Sequence, residues 1–138
     1  KPGETPVEQV ADERVLPKVD PSVLDLNVLE ALRSVPGRNG PNLVPELVKA
    51  FCCEEPQRHA ELERLAAGRE SRALAHAAHA FAGSSAVIGA HNSRRALLAL
   101  ERAARGEDWD EVAQRLREVH EAGERLRAAF TSLEEIFW

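Results

Sequence analysis

The sequence predicts an all-α fold: an antiparallel up-down-up-down four-helix bundle with an additional short N-terminal helix. Three observations carry this expectation. Aliphatic residues and alanine dominate, aromatic residues make up 4% and tyrosine is absent. No valine-, isoleucine- or threonine-rich run alternates with polar residues as a half-buried strand does. Apolar residues instead recur at helical spacing over four segments separated by short links, and helices so joined run antiparallel to their neighbours. At 138 residues the chain is about one domain's worth.

Residues 1–24 mix Pro2, Pro6, Pro17 and Pro21 with charges and show no sustained period, which reads as a proline-rich linker or arm. Because it starts at Lys1 and contains no methionine, the chain reads as a piece of a longer polypeptide, tethered upstream through this arm. Residues 25–138 are assigned to the bundle. Asp25 can cap a short helix over Leu26 to Val35, a candidate lid, before Pro36-Gly37 and Asn39-Gly40-Pro41 break the chain. A longer helix is expected from about Asn42 to Ala67, with Leu43, Leu47, Ala50, Phe51, His59, Leu62 and Leu65 inward. Pro45 suits its first turn, whereas Pro56 predicts a kink near Cys52 to Glu55. Gly68 ends this helix. A later one runs over Ser93 to Arg105 with Leu97, Leu100 and Ala104 inward, and Gly106 closes it. Asp108 caps the last helix, whose stripe of Val112, Leu116, Val119, Gly123, Leu126, Phe130 and Leu133 keeps a period near 3.6 for about six turns.

The central stretch, Arg72 to Ala90, is the most informative. On a helical wheel Leu74, Ala77, Phe81, Ser85 and Ile88 form the core stripe, and His79 points away from it. Around His79 fall Arg72, Ala75, His76, Ala82, Gly83, Ala86 and Ala90, small residues apart from one arginine and a second histidine. A solvated helix face ordinarily carries glutamate, lysine and arginine, so this side reads as cleared for a partner. Gly83 costs on the order of 1 kcal/mol relative to alanine inside a helix. Either a neighbouring helix approaches closely there or a partner must reach the imidazole unobstructed; the second reading fits a residue away from the apolar stripe.

The net charge of -5 argues against nucleic-acid binding, which needs a basic face. No apolar run approaches the roughly 20 residues of a membrane span, so no direct membrane contact is expected. Cys52 and Cys53 are adjacent and cannot form an ordinary disulfide with each other, which suits a reducing, cytoplasmic setting. His76, His79 and His91 raise the question of a metal, but zinc takes three or four protein ligands and nothing nearby completes a set, so neither metal nor cofactor is expected. His59 and His120 read as partly buried helix residues, and Trp109 and Trp138 as packing or terminal residues. A neutral imidazole can accept a phosphoryl group. No glycine-rich phosphate cradle and no Ser/His/Asp pattern accompanies it, so any catalytic apparatus must come from the partner.

HAFAGSSAVIGA, His79 to Ala90, resembles the signature of histidine-containing phosphotransfer (HPt) domains, in which a histidine is followed by a hydrophobe, a lysine, Gly-Ser-Ser and Gly-Ala. Leu100-Glu101, Ala104-Arg105-Gly106 and the long last helix resemble the family's next segment. LVPELVKAFCCEEP resembles its preceding helix, so the likeness spans roughly Asp25 to Leu133. It implies that His79 is the phosphoacceptor, exchanging a phosphoryl group with an aspartate on the receiver domain of a response regulator or hybrid histidine kinase. Gly83, Ala82, Ala86 and His76 would meet the receiver. Ser84 and Ser85 would pin the helix by local hydrogen bonds, and any magnesium would belong to the receiver. Such domains often stand at the C-terminal end of hybrid sensor kinases, which would make the parent a kinase anchored in the inner membrane and this domain a monomeric carrier without independent catalysis. Two departures stand out. The family's lysine, three residues after the histidine, is Ala82 here, leaving Arg72, Arg94 or Arg95 to stabilise phosphate. Ser93 replaces a large hydrophobe and is expected to loosen the start of its helix. The alternative is a degenerate module that docks receivers without phosphotransfer, ahead of a small metal-binding bundle.

Overall fold

The computed structural model of the chain describes residues 19–37, 40 and 42–137. Five helices form: α1 (Leu26–Leu32), α2 (Val44–Ala67), α3 (Ser71–Val87), α4 (His91–Arg105) and α5 (Trp109–Phe137), with no strand among the described residues. The expected break at Asn39 and Pro41 and the role given to Trp138 lie outside the described residues, as does most of the proline-rich arm.

The last three links are three residues long, and all close in the same way. The amides of Glu70, Ala90 and Asp108 reach back to the carbonyls of Leu65, Ser85 and Ala103, and those of Arg69, Gly89 and Glu107 to Ala66, Ala86 and Ala104. These paired bonds satisfy carbonyls that a helix end leaves open. The residue between them must be left-handed, and here Arg69 (φ 53°), Gly89 (φ 83°) and Glu107 (φ 55°) take that conformation. Gly68 and Gly106, read from sequence as the terminators, stay right-handed, and the residue after each makes the turn. Of these three left-handed positions, Gly89 is also the crowded one: a Cβ there would lie 3.0 Å from Val28 Cβ and 3.1 Å from the Asp25 carbonyl oxygen.

Helix α2 packs against α3 and α5, and α4 against the same two. The stripe expected on α5 is buried throughout. That expected on α2 holds at Phe51, Leu62 and Leu65 and is displaced at its other positions. Val44, Val48, Phe51, Glu55, Leu62 and Leu65 are buried, while Leu43, Leu47 and His59 are half-buried and Ala50 is exposed. The buried row includes a carboxylate, and this moved a hydrophobicity-based reading onto the adjoining row. Helix α2 continues through Pro56, with Pro45 in its first turn. Ser93 is buried, and α4 starts two residues before it.

Part of the segment before Asp25 packs as well. Val23 and Leu24 are buried and Val19 packs on the core, so the end of the segment read as an arm joins the packed domain. Asp25 caps α1 through the Asn27 amide (3.0 Å), meets His91 Nε2 with its other carboxylate oxygen (3.0 Å), and donates its own amide to the Gly89 carbonyl (2.9 Å). The short helix is thereby pinned to the α3–α4 link, and fully buried Leu29 adds about 2 kcal/mol of apolar burial.

Between α2 and α5, Glu55 is 2% exposed yet ionised. Burial pushes its carboxyl up, but hydrogen bonds from His59 (3.3 Å) and Arg127 (2.9 Å) outweigh this and hold it below its ordinary 4.5. His59 stacks on His120 (ring centroids 4.7 Å apart), and His120 in turn meets Glu63. Gly123 makes room, because a Cβ there would fall 2.9 Å from Glu55 Oε2 and 3.0 Å from His59 Nε2. A carboxyl depressed in the folded state stabilises fully above its unfolded value and loses that contribution as pH falls through the folded one. Glu55→Ala is therefore expected to lower stability by about 2 kcal/mol at pH 7 in urea melts. The difference from the unmutated protein should shrink as pH falls below the ordinary 4.5, and an equal loss at all pH values would refute the ionised pair.

Candidate functional site

The outer face of α3 is set by its inner one. Leu74, Ala78, Phe81 and Ser85 are buried, and the buried Ser85 hydroxyl returns its hydrogen bond to the Phe81 carbonyl (3.0 Å). Ser84 does the same to Ala80 at 3.5 Å. His79 is left facing outward, its side chain 69% exposed.

The ring is nevertheless held. His79 Nδ1 lies 3.0 Å from Glu101 Oε1 on α4, and the other Glu101 oxygen accepts from Arg105 Nη2 (2.8 Å) and Nε (3.1 Å). Glu101 is 13% exposed. Burial pushes its carboxyl up, but the hydrogen bonds from Arg105 and His79 outweigh that and keep it below the ordinary 4.5. An ionised carboxylate only accepts, so this contact favours the neutral tautomer with its proton on Nδ1 and its Nε2 lone pair toward solvent. The arrangement can present Nε2 as the free ring nitrogen. Neither Glu101 nor Arg105 was singled out for this role from sequence. The available signal was symmetry: His79 and Glu101 stand eleven residues on either side of Ala90, in the link between two helices.

The small residues around His79 divide into two groups. Gly83 and Ala86 are exposed, as are Arg72 and His76. A Cβ on Gly83 would have no atom within 4 Å, which removes close helix packing among the described residues as the reason for this glycine. Ala75 and Ala90 are buried, and Ala82, expected on the docking face, is 3% exposed. Stripes of alanine suit both a cleared surface and a tight helix seam, and on this flank α4 packs along α3. Ala82 therefore belongs to the seam. Arg95 also departs from expectation: it bonds Asn92 and lines a groove between α4 and α5 with Ala99, Arg115 and Arg125. His76 lines a shallow groove between α2 and α3 with Arg58, Ala73 and Ala80 and has no hydrogen bond among the described residues. Among the described residues no three His, Cys, Asp or Glu side chains gather at a metal position.

The fold and site define an all-helical domain that displays one oriented, solvent-facing imidazole. The family model described as "Hpt domain" matches residues 46–134, well over half of the chain, and the chain belongs to that family, with its phosphotransfer role in two-component signalling. No curated protein and no solved structure matches it. No helix among the described residues is long and apolar enough to cross a membrane.

Two outcomes follow from this geometry. In Glu101→Ala, imidazole nitrogen shifts measured by NMR should show that His79 loses its Nδ1–H preference while the fold persists; an unchanged tautomer would remove Glu101 from its positioning role. Gly83→Ala should raise stability by up to about 1 kcal/mol in a denaturant melt, since the added methyl meets nothing, whereas a lower midpoint would mean the glycine serves the fold.

Proposed function

We propose that this chain is a phosphorelay carrier that accepts and donates a phosphoryl group on His79, in exchange with the aspartate of receiver domains. The observation that carries the reading is the 69% exposed His79 ring whose Nδ1 is tied to Glu101. In the forward step the Nε2 lone pair attacks the phosphorus of an aspartyl phosphate. The N–P bond forms as the P–O bond to the aspartate breaks, and that carboxylate leaves with the bonding pair. The imidazole keeps its Nδ1 proton and gains positive charge, which Glu101 offsets. Arg105, held on Glu101, supplies a cation to the cluster in place of the family's lysine. Any magnesium belongs to the receiver.

The four long helices form the antiparallel up-down-up-down bundle that this carrier needs as a rigid mount, and the domain takes in Val19, Val23 and Leu24 ahead of Asp25. Gly83, Ala86 and His76 meet the receiver, Gly83 by leaving room for its active-site mouth. The carrier acts as a cytoplasmic monomer and as the C-terminal module of a hybrid sensor kinase. One observation favours a second reading: with Ala82 in the lysine's place, the domain would dock receivers without carrying phosphate.

Transfer from phosphorylated receiver domains decides between the two. Acid-labile label is expected on the unmutated chain and on His76→Gln but not on His79→Gln. Gly83→Gln should fold and accept label at least about tenfold more slowly. Receiver binding with no label on any variant would establish the docking module instead.

A further inference from the structure

We infer that the receiver is steered onto His79 by a bracket of two unpaired arginines, Arg72 and Arg94, and that it therefore presents acidic side chains on both sides of its phosphoaspartate. The inference rests on the phosphorelay reading and names the chemistry of the partner at that same site.

The placement comes from the helices. Arg72 is seven residues before His79 on α3, two turns away on the same stripe. Arg94 is seven residues before Glu101 on α4, on the stripe that meets His79. The two helices are joined by a three-residue link and run in opposite directions, so the two arginines lie on opposite sides of the imidazole. Each is about 10 Å away along the bundle axis, from a rise of about 1.5 Å per residue. At that distance their charge falls on the rim of whatever covers His79 rather than on the phosphoryl group itself.

Their lack of a carboxylate partner separates them from six other arginines of the domain. Arg33, Arg58, Arg64, Arg105, Arg115 and Arg127 each pair with a carboxylate. Arg72 and Arg94 are exposed and make no ion pair or hydrogen bond among the described residues. Of the acidic groups near this face, Glu101 is engaged by His79 and Arg105, Glu54 by Arg58 and Glu61 by Arg64, while Glu70 and Asp108, at the Arg72 end, make no ion pair among the described residues. A chain of net charge -5 thus shows a guanidinium with no direct ion pair on either side of the His79 ring. A phosphorylated receiver brings a dianionic phosphoryl group and carboxylates to the same place. Complementary charge of this kind acts mainly on encounter and falls with ionic strength. Arg102 is also exposed and unpaired among the described residues, but it lies seven residues after Arg95, on the stripe that turns toward α5. It serves as the control.

The test takes, from a panel of purified receiver domains, the one that binds this chain tightest. Its association is measured by stopped-flow and its phosphotransfer by label, between 50 and 500 mM salt. Association and kcat/KM should fall about tenfold over that range. The double variant Arg72→Glu, Arg94→Glu should lose about tenfold at low salt and show a flatter salt dependence, with the transfer rate at saturating receiver within about twofold. Arg102→Glu should stay near the unmutated rate. Salt-independent association, a double variant that associates normally, or an equal loss in Arg102→Glu would overturn the proposal. Absence of label at every salt concentration would sink phosphotransfer alone, because the association arm reads the steering without it.

Discussion

The three-residue link between α3 and α4 is the constraint on which the site depends. A left-handed residue at Gly89 reverses the chain, and a side chain there would be strained by that conformation and crowded by Val28 and Asp25. Once the reversal is fixed, residues equally distant from Ala90 come opposite each other, which brings the Glu101 carboxylate to the His79 ring. One residue more or less in the link would turn one helix by about 100° relative to the other and part them. The same link receives the N-terminal segment through the Gly89 carbonyl, His91 and Asn92. The shortest helix and the reactive one therefore share an anchor.

Underneath, α3 rests on an aromatic and polar platform. Phe81 touches Phe51 (6.0 Å between ring centroids) and the edge of His59 (5.4 Å), and the Arg58 guanidinium lies over its ring at 5.4 Å. His59 is fixed in turn by Glu55 and His120. The His79 side chain, two residues from Phe81, is thus carried on a floor with little freedom to shift.

Much of this was legible in the sequence, and its failures have physical causes. Helix order, the caps at Asp25 and Asp108 and the α5 stripe follow from periodicity and local chemistry. His79 stood out because glycine and alanine cleared its surroundings. The α2 stripe slipped because its buried row includes Glu55, whose partners come from one turn further along α2 and from α5. The division of the alanines between surface and seam was not legible, since alanine carries no sign of what it faces. The tether at Glu101 is a contact across 22 positions and emerges only when two helices are laid side by side.

Ala82 carries a consequence for the history of this site. With Ala75 and Ala78 it is part of the buried flank of α3, where α3 and α4 make their most extensive contact. A lysine restored there would have to thread four methylenes out of a seam that has closed around a methyl group, displacing close-packed neighbours before its ammonium reached water. The substitution is therefore entrenched. A cation beside the His79 ring is thus supplied more readily from the neighbouring helix, as Arg105 is through Glu101, than from position 82 itself.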